Sequence, residues 1–152
     1  MKNFKLNEKD ILSNQDWTFP TTTYYGPGRL NEIGKFCEEF DIKNPLIVTD
    51  SGSKDLPFIK KLIALLSKNN IKSDLFYHIS PNPRDDEISK GCDQFKNGSH
   101  DSIIAIGGGS AMDGGKSICL TVNSETPLWD FEFEQPVPKL SLIHISEPTR
   151  PT

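Results

Sequence analysis

Short apolar runs alternate along this chain with amphipathic segments. The runs "PLIVTD", "SDLFYHI" and "SIIAI" each have the length of a strand, and their continuous apolar character is typical of burial on both faces of a sheet. Apolar side chains recur every three or four positions, as on one face of a helix, in residues 30–40, 56–67 and 85–96. The alternation predicts βαβ units, so we expect an α/β fold: a Rossmann-like parallel sheet with helices on both faces.

The helical spacing also predicts which side chains enter the core. The expected set is Leu30, Ile33, Phe36, Cys37 and Phe40, then Leu56, Ile59, Leu62, Ile63 and Leu66, then Ile88, Cys92 and Phe95. Asn69 and Asn70 should end the second helix, because Asn tolerates the left-handed conformation. A further strand is expected within residues 19–28, where β-branched and aromatic residues precede a Gly-Pro-Gly turn.

Length and charge limit the classes of protein to which the chain can belong. A chain of 152 residues suits one domain with its own core. The formal net charge of −4 argues against nucleic acid as a partner, because binding to its phosphates requires many Lys and Arg contacts. The N-terminal segment has no signal-peptide pattern, and no run approaches the roughly 20 apolar residues of a membrane span. We therefore expect a cytoplasmic protein with no membrane partner.

The cysteines show no pattern of a metal or disulfide site. Cys37, Cys92 and Cys119 lie far apart in segments predicted to be helical, and no CxxC pair or Cys/His cluster accompanies them. We expect buried, reduced thiols, as is usual in a cytoplasmic protein.

Three consecutive glycines, Gly107, Gly108 and Gly109, follow the run "SIIAI" and precede a predicted helix. Ligands of parallel sheets bind beyond the carboxyl ends of the strands, which is where this turn lies. Glycines permit positive φ and close approach, so backbone N–H groups and the helix N-terminus can face an anion. The turn therefore predicts a phosphate site.

Two phosphate ligands compete for this turn. A nucleotide-triphosphate loop would use Gly115, Lys116 and Ser117 as its GKS, but Ser110 stands five residues before Gly115, where that motif requires glycine. A dinucleotide site would begin the helix at Ser110, with the Ser110 hydroxyl as N-cap and Asp113 completing a capping box. We favour the dinucleotide, because Lys116 and Ser117 would then lie in the second helical turn, facing away from the anion. The GxGxxG fingerprint is absent, so the turn alone is a weak signal.

Two carboxylates near the turn each have two interpretations. Asp50, at the end of "PLIVTD", can form a turn, or it can accept hydrogen bonds from a dinucleotide's adenosine ribose. In the second case it would repel a 2′-phosphate and favour NAD over NADP. Asp113 can complete the capping box or simply stabilise the positive end of the helix dipole.

The segments "TTTYYGPGRLNEIG", "PLIVTD", "SPNP", "IAIGGGSAMDGGKSI" and "LWDFE" occur in the order and spacing of the iron-containing (group III) alcohol dehydrogenase family, which the chain strongly resembles over roughly residues 19–139. The most specific element is GGGSxxDxxK. The resemblance implies these cofactor-binding residues: Asp50, Asn82, Gly107, Gly108, Gly109, Ser110 and Asp113. Among them, Gly108, Gly109 and Ser110 would bind the pyrophosphate, Asp50 would face the ribose, and Asn82 and Asp113 would lie along the cofactor.

The resemblance also implies an activity, which is reversible hydride transfer between a small alcohol or aldehyde and NAD, or NADP, with a metal polarising the alcohol oxygen. Family members hold that metal, usually iron, on one aspartate and three histidines of a C-terminal helical domain. The histidines here are His78, His100 and His144, at no ligand spacing. We expect His78 in a strand and His100 in a loop, both structural, and no metal ligand in this chain. The oligomeric state is open, a homo-oligomeric parent enzyme being one option.

The last residues depart from the family pattern. A strand leading into a Pro-Thr-Thr loop should begin just after Lys139, but the chain reads "LSLIHISEPTRPT". That ending resembles a translated sequencing-library adapter, so we expect residues 1–139 to be an incomplete dinucleotide-binding domain and residues 140–152 a non-native tail. The alternative is a genuine terminal strand, "SLIHI". In either case we expect a fragment without the catalytic half, inactive by itself.

Three other functions remain as alternatives. One is a stand-alone dinucleotide- or phosphate-binding module that senses and does not catalyse. A second is a glycerol-dehydrogenase-like enzyme, which shares the fold and a similar glycine turn but usually uses zinc or another divalent ion. A third is a phosphotransferase that depends on Lys116.

Overall fold

The computed structural model of the protein describes residues 23–131 and the backbone of residues 144–148. Its helices are α1 (Ile33–Glu39), α2 (Pro57–Lys68), α3 (Asp85–Asn97) and α4 (Gly109–Thr121). Its strands are β1 (Pro45–Asp50), β2 (Asp74–Ile79), β3 (Ser102–Gly107) and β4 (His144–Pro148). Short 3-10 helices precede α1 and follow α4, at Arg29–Glu32 and Leu128–Asp130. None of the helices in this described part is long and apolar enough to cross a membrane.

The four strands form one parallel sheet in the order β2-β1-β3-β4. Leu46 of β1 lies opposite Asp74 of β2 on one side and Ile103 of β3 on the other. Parallel neighbours need a crossover between them, and α2 and α3 supply the crossovers from β1 to β2 and from β2 to β3. The predicted α/β class with a parallel sheet is therefore confirmed, and the carboxyl ends of the strands meet along one edge.

Helices cover both faces of the sheet. Successive strand residues point to opposite faces, so Leu46 and Val48 pack on one side and Ile47 on the other. The first side receives Ile88 and Phe95 from α3, Ile118 and Cys119 from α4, and Val122, the C-cap of α4. The second receives side chains from α1 and α2, namely Ile33, Cys37, Ile59, Leu62 and Leu66. Burial of both faces explains why the strands are continuous apolar runs.

Most of the predicted core side chains are buried. The exposed ones lie where a predicted helix extended past its observed end, or where its buried face is narrower than predicted. Phe40 follows the last residue of α1 and is 38% exposed, and Leu56 is the N-cap of α2 and 41% exposed. Ile63 lies at the edge of the buried face of α2 and is 37% exposed. α2 begins at Pro57 because proline suits the first helical position. Asn70 adopts the predicted left-handed conformation, with φ of 59°.

The strand predicted within residues 19–28 is wrong where the structure describes this segment. Residues 23–25 have no regular secondary structure, and residues 26–28 form a turn. The ring of Tyr24 lies 4.6 Å from that of Phe36 in α1, and the Arg29 guanidinium lies 5.1 Å from the Tyr24 ring. A strand needs a neighbouring strand for its backbone hydrogen bonds, and this segment packs on a helix instead. Residues 19–22 lie outside the described residues.

The last described segment, β4, pairs in parallel with β3 from Ile103 opposite His144 to Gly107 opposite Pro148. This segment falls within residues 140–152, for which a non-native tail and a genuine terminal strand are the two interpretations. A backbone pairing does not distinguish them, because main-chain hydrogen bonds carry little information about the side chains. The division into residues 1–139 and 140–152 stays a prediction.

Candidate functional site

The carboxyl ends of β1, β2 and β3 meet around a cavity of about 380 Å³. It is lined by Asp50, Ser51, Gly52, Pro81, Gly108 and Ser110. Each of the three strands thus contributes the residue that ends it or those that follow it. The Thr49 hydroxyl donates to the carbonyl oxygen of Ile106 at 2.7 Å and joins β1 to β3 at this edge. The parallel sheet has assembled the cavity where a ligand is expected to bind.

Of the three consecutive glycines, Gly107 alone has a positive φ, at 142°. A Cβ there would lie 2.9 Å from the Ala111 Cβ and 3.1 Å from a carboxylate oxygen of Asp50, so both the conformation and the space require glycine. At Gly108 and Gly109 a Cβ would meet no atom within 4 Å. These two positions therefore border open space and are not needed for packing within the described residues.

The helix that follows the glycines presents backbone donors to this space. α4 begins at Gly109, its N-cap Gly108 makes no side-chain hydrogen bond, and its first turn holds no acidic residue. The first N–H groups of a helix have no intrahelical acceptor, and the helix dipole makes this end positive. The arrangement fits the pyrophosphate of a dinucleotide, because N–H groups and open space occur together.

The predicted capping box at this helix is wrong. α4 starts one residue earlier than predicted, so Ser110 is inside the helix and Asp113 lies beyond the first turn. The Ser110 hydroxyl donates to the carbonyl oxygen of Pro81 at 2.6 Å. Asp113 is exposed and forms an ion pair with Lys116 at 3.7 Å. Ser110 therefore joins the glycine turn to the loop after β2, and Asp113 is available to solvent or to a ligand.

Asp50 forms a turn, which is one of its two predicted roles. One carboxylate oxygen accepts from the N–H groups of Gly52 and Ser53, each at 3.0 Å, and the other accepts from the Ser53 hydroxyl at 2.8 Å. A carboxylate offers about four acceptor positions, so these three bonds leave capacity for one more. Because Asp50 also lines the cavity, the turn and a ribose contact are compatible. The ribose contact stays a prediction.

A buried carboxylate that the sequence analysis missed, Glu87, holds the loop after β2. This β2–α3 loop consists of residues 80–84. Glu87 is 5% exposed, and one of its carboxylate oxygens accepts from the N–H groups of Ser80 and Arg84 at 3.1 and 3.2 Å. Burial acts to raise the pKa of Glu87, but the bonds from Ser80 and Arg84 and the Arg84 charge outweigh it and hold the pKa below its usual range. Its position three residues after Arg84, typical of a capping Glu, is the signal that could have found it.

Asn82 lies in the same loop, one residue beyond Pro81. Its carbonyl oxygen accepts from the Ser80 hydroxyl at 2.7 Å, while the residue itself is exposed. Asn82 is not part of the cavity wall that the described residues form. Its predicted position along the cofactor stays a prediction.

Comparison with known proteins decides the family. A family model described as "Iron-containing alcohol dehydrogenase" matches residues 20–149. The chain belongs to the iron-containing alcohol dehydrogenase family. The homologues that support this are enzymes, specifically alcohol dehydrogenases.

Two relatives and one solved structure illustrate the likeness. Alcohol dehydrogenase 4 of Schizosaccharomyces pombe is 34% identical over 129 residues, which are 84% of this chain and 31% of that protein. NADH-dependent butanol dehydrogenase A of Clostridium acetobutylicum is 34% identical over 119 residues, or 76% of this chain and 30% of that protein. The structure of sulfoacetaldehyde reductase from Bifidobacterium kashiwanohense in complex with NAD+ matches with a TM-score of 0.78 at 26% identity, covering 90% of this chain and 36% of that one. The chain thus spans about a third of the length of these relatives.

The described residues of this family member do not fit an iron ion. Among the side chains that the structure describes, no group of three or more His, Cys, Asp or Glu residues could hold a metal. His78 lies in β2 and His100 in a loop, both as predicted. His100 is buried, with Nδ1 at 3.0 Å from the Asn44 carbonyl oxygen and Nε2 at 3.3 Å from an Asp74 carboxylate oxygen. No step of the chemistry is therefore assigned to a metal in this part of the chain.

The residues of the alternative triphosphate motif lie away from the glycine turn. Lys116 and Ser117 are in the second turn of α4 or beyond it, and Lys116 pairs with Asp113 at 3.7 Å. Ser117 lines a different cavity, beside Arg84 and Trp129. A lysine that cradles phosphates would need to reach the turn, so this arrangement favours the dinucleotide interpretation.

The three thiols are free and lie in helices, as predicted. Burial, together with the nearby charge of Asp101, raises the pKa of Cys37 to about 11. Burial also raises the pKa of Cys119, and that of Cys92 despite a 3.2 Å contact between its sulfur and the Thr121 hydroxyl. Because the thiolate is the reactive form, these environments suit structural cysteines and not nucleophiles.

Proposed function

We propose that the described residues form the pyrophosphate- and ribose-binding part of a NAD(H) site, in a protein that transfers hydride between a small alcohol and its aldehyde. The observation that carries the proposal is the uncapped start of α4 beside open space at Gly108 and Gly109, in one cavity with Asp50. The family membership supports the reaction class, and one structural neighbour is a complex with NAD+.

The chain's own residues would bind and orient the cofactor, and the nicotinamide, when bound, supplies or accepts the hydride. The first N–H groups of α4 would hold the pyrophosphate, with the helix dipole favouring its negative charge. The remaining acceptor position of Asp50 would take a ribose hydroxyl. Its charge would oppose a 2′-phosphate, so we propose NAD over NADP.

Substrate and metal are proposed at the level of class. Relatives are named for butanol and 1,3-propanediol, so we propose a small alcohol or aldehyde as substrate. Iron, if this protein uses the metal for which its family is named, would have its ligands outside the residues whose side chains are described.

Titration of the 152-residue protein with NADH, NADPH and ATP, followed by ligand fluorescence or calorimetry, tests the site. We expect NADH to bind, NADPH to bind at least about tenfold more weakly because like charges would meet at Asp50, and ATP to bind no better than NADPH. Asp50→Ala should narrow the difference in affinity between NADH and NADPH.

The opposite pattern would favour the alternative motif. If ATP bound more tightly than NADH and the Lys116→Ala variant lost ATP binding, the glycine turn would belong to a triphosphate site. Lys35→Ala is the control for Lys116→Ala, because it removes the same charge from an exposed lysine that lies in α1 and does not line the cavity.

A further inference from the structure

We propose that Glu87 is a positioning residue for the dinucleotide site, because its buried carboxylate holds the β2–α3 loop against the glycine turn. The inference rests on the proposed function and deepens it. Glu87 does not line the cavity itself, so it would act through Pro81, which does.

The first step is the burial of the charge. Glu87 is 5% exposed, and among the side chains that the structure describes it is the one buried carboxylate. An ionised carboxylate is costly to remove from water unless hydrogen bonds and opposite charge replace the lost hydration. Here the replacement consists of the Ser80 and Arg84 N–H groups and the Arg84 guanidinium at 3.3 Å. The Ser80 hydroxyl lies 3.1 Å from the same carboxylate and shares its one proton with the nearer Asn82 carbonyl oxygen, at 2.7 Å.

The second step is the composition of the loop. Pro81 and Pro83 have no N–H group, so of the five loop residues only Ser80, Asn82 and Arg84 can donate from the backbone. Two of these three donors bind the same oxygen of Glu87. The carboxylate therefore closes the loop by joining its first and last residues.

The third step links the loop to the glycine turn. The Ser110 hydroxyl donates to the carbonyl oxygen of Pro81 at 2.6 Å, across 29 positions of sequence. Pro81 and Ser110 both line the cavity, together with Gly108. A chain of contacts thus runs from Glu87 through Ser80 and Pro81 to Ser110, and two of its members, Pro81 and Ser110, line the cavity.

A helix cap alone would make a different prediction. A glutamate that only caps α3 would stabilise the first turn of that helix and leave the cavity unchanged. A positioning residue instead determines the fraction of molecules whose site is arranged to bind NADH, and the apparent Kd for NADH rises as that fraction falls.

The experiment measures two things on the 152-residue protein: NADH affinity, and amide hydrogen exchange without ligand. The variants are Glu87→Ala, Glu87→Gln, Ser110→Ala and the double variant Glu87→Ala/Ser110→Ala. Asp93→Asn is the matched control, because Asp93 is an exposed carboxylate in the same helix and lies more than two turns beyond the β2–α3 loop. Glu87→Gln retains volume and one oxygen acceptor, so it guards against loss of folding.

We expect Glu87→Ala to weaken NADH binding about tenfold, as when the competent fraction falls to about one tenth. Glu87→Gln should recover most of this loss, and Asp93→Asn should bind NADH as the unchanged protein does. The double variant should bind NADH as tightly as whichever single variant binds it less tightly, since both substitutions interrupt one chain of contacts. The amides of Ser80 and Arg84 should exchange faster in Glu87→Ala, and so should that of Met112, whose N–H donates to the Gly108 carbonyl oxygen at 3.1 Å.

Unchanged exchange at Met112 in Glu87→Ala would overturn the inference, as would fully additive losses in the double variant. Failure of the unchanged protein to bind NADH would instead contradict the proposed function. The exchange measurement needs no ligand, so it would still judge the role of Glu87 in that case.

Discussion

Gly107 and Gly108 are adjacent but are glycine for different reasons. Gly107 has φ of 142° and no room for a Cβ, whereas Gly108 is extended, with φ of −77° and ψ of −173°, and borders open space. The first glycine is therefore required by the fold. The second is required only if a ligand occupies the space beside it.

Gly107→Ala should lower the free energy of unfolding by roughly 1 to 3 kcal/mol, because alanine is strained at positive φ and its Cβ meets Ala111. Urea denaturation measures the loss. Gly108→Ala is the matched control and should unfold within about 0.5 kcal/mol of the unchanged protein. Equal losses at the two positions would contradict the distinction.

Sequence patterns named three of the six residues that line the cavity, Asp50, Gly108 and Ser110, but not how they contact one another. The glycine turn and Asp50 were predicted from their places at strand ends, and the structure gathers them in one cavity. The capping role of Ser110 was wrong because its hydroxyl finds an acceptor in Pro81, which is distant in sequence. Glu87 was missed because its burial arises from tertiary packing, which a local pattern does not contain.

At the level of elements, α4 lies close to the sheet because small residues face it. A Cβ on Gly115 would lie 2.5 Å from the Ala105 Cβ of β3, and one on Gly114 would lie 2.7 Å from the Ile79 side chain of β2. Close packing of the helix holds its N-terminus, and so its backbone donors, at the edge of the sheet.

Gly115→Ala should destabilise the protein by roughly 1 to 3 kcal/mol, since the added methyl forces α4 away from β3. Thermal unfolding followed by circular dichroism measures this. Gly109→Ala, where a Cβ meets nothing within 4 Å, is the control in the same helix. A Gly115→Ala protein as stable as the control would show that the contact between α4 and β3 is not tight.

Stability conferred by Glu87 should depend on pH. The folded state holds its pKa below the usual range, so the unfolded state binds the proton more readily. This contribution is complete above the unfolded pKa of about 4.3 and is lost as the pH falls through the lower folded value. The difference in unfolding free energy between the unchanged protein and Glu87→Gln should therefore shrink as the pH is lowered from 6 into the acid range. Denaturant unfolding curves at each pH measure this difference. A difference constant over that range would contradict the assignment.

The strands were predicted more accurately than the helix ends. The run "PLIVTD" coincides with β1 because polar residues bound an apolar segment that is buried on both faces. The observed helices begin a residue or more away from the predicted position where proline or glycine occupies the first turn, as at Pro57 and Gly109. The strand expected within residues 19–28 is wrong for residues 23–28, the part that the structure describes, because β-branched and aromatic composition does not supply a pairing partner.

For the molecule as a whole, parallel topology is what turns three separated segments into one site. Asp50, Pro81 and Gly108 are brought together by the crossovers through α2 and α3. The family assignment also draws on most of the chain, residues 20–149. The chain spans about a third of the length of its curated relatives, so turnover of an alcohol stays a proposal.

The origin of residues 140–152 can be tested on the gene. An independent read of genomic DNA past the codon for Lys139 should continue into a strand, a Pro-Thr-Thr loop and histidine-bearing helices, because the ending resembles an adapter. A genomic sequence that encodes "LSLIHISEPTRPT" would show that β4 is native.

The central claim is that backbone amides at the start of α4 hold the phosphates of a dinucleotide. Amide chemical shifts of the protein titrated with NADH test it most directly. We predict the largest changes at Gly108, Gly109 and Ser110, with a smaller change at Asp50, all saturating together. Saturable NADH binding that left those amides unmoved, with changes around Ser117 and Trp129 instead, would contradict it.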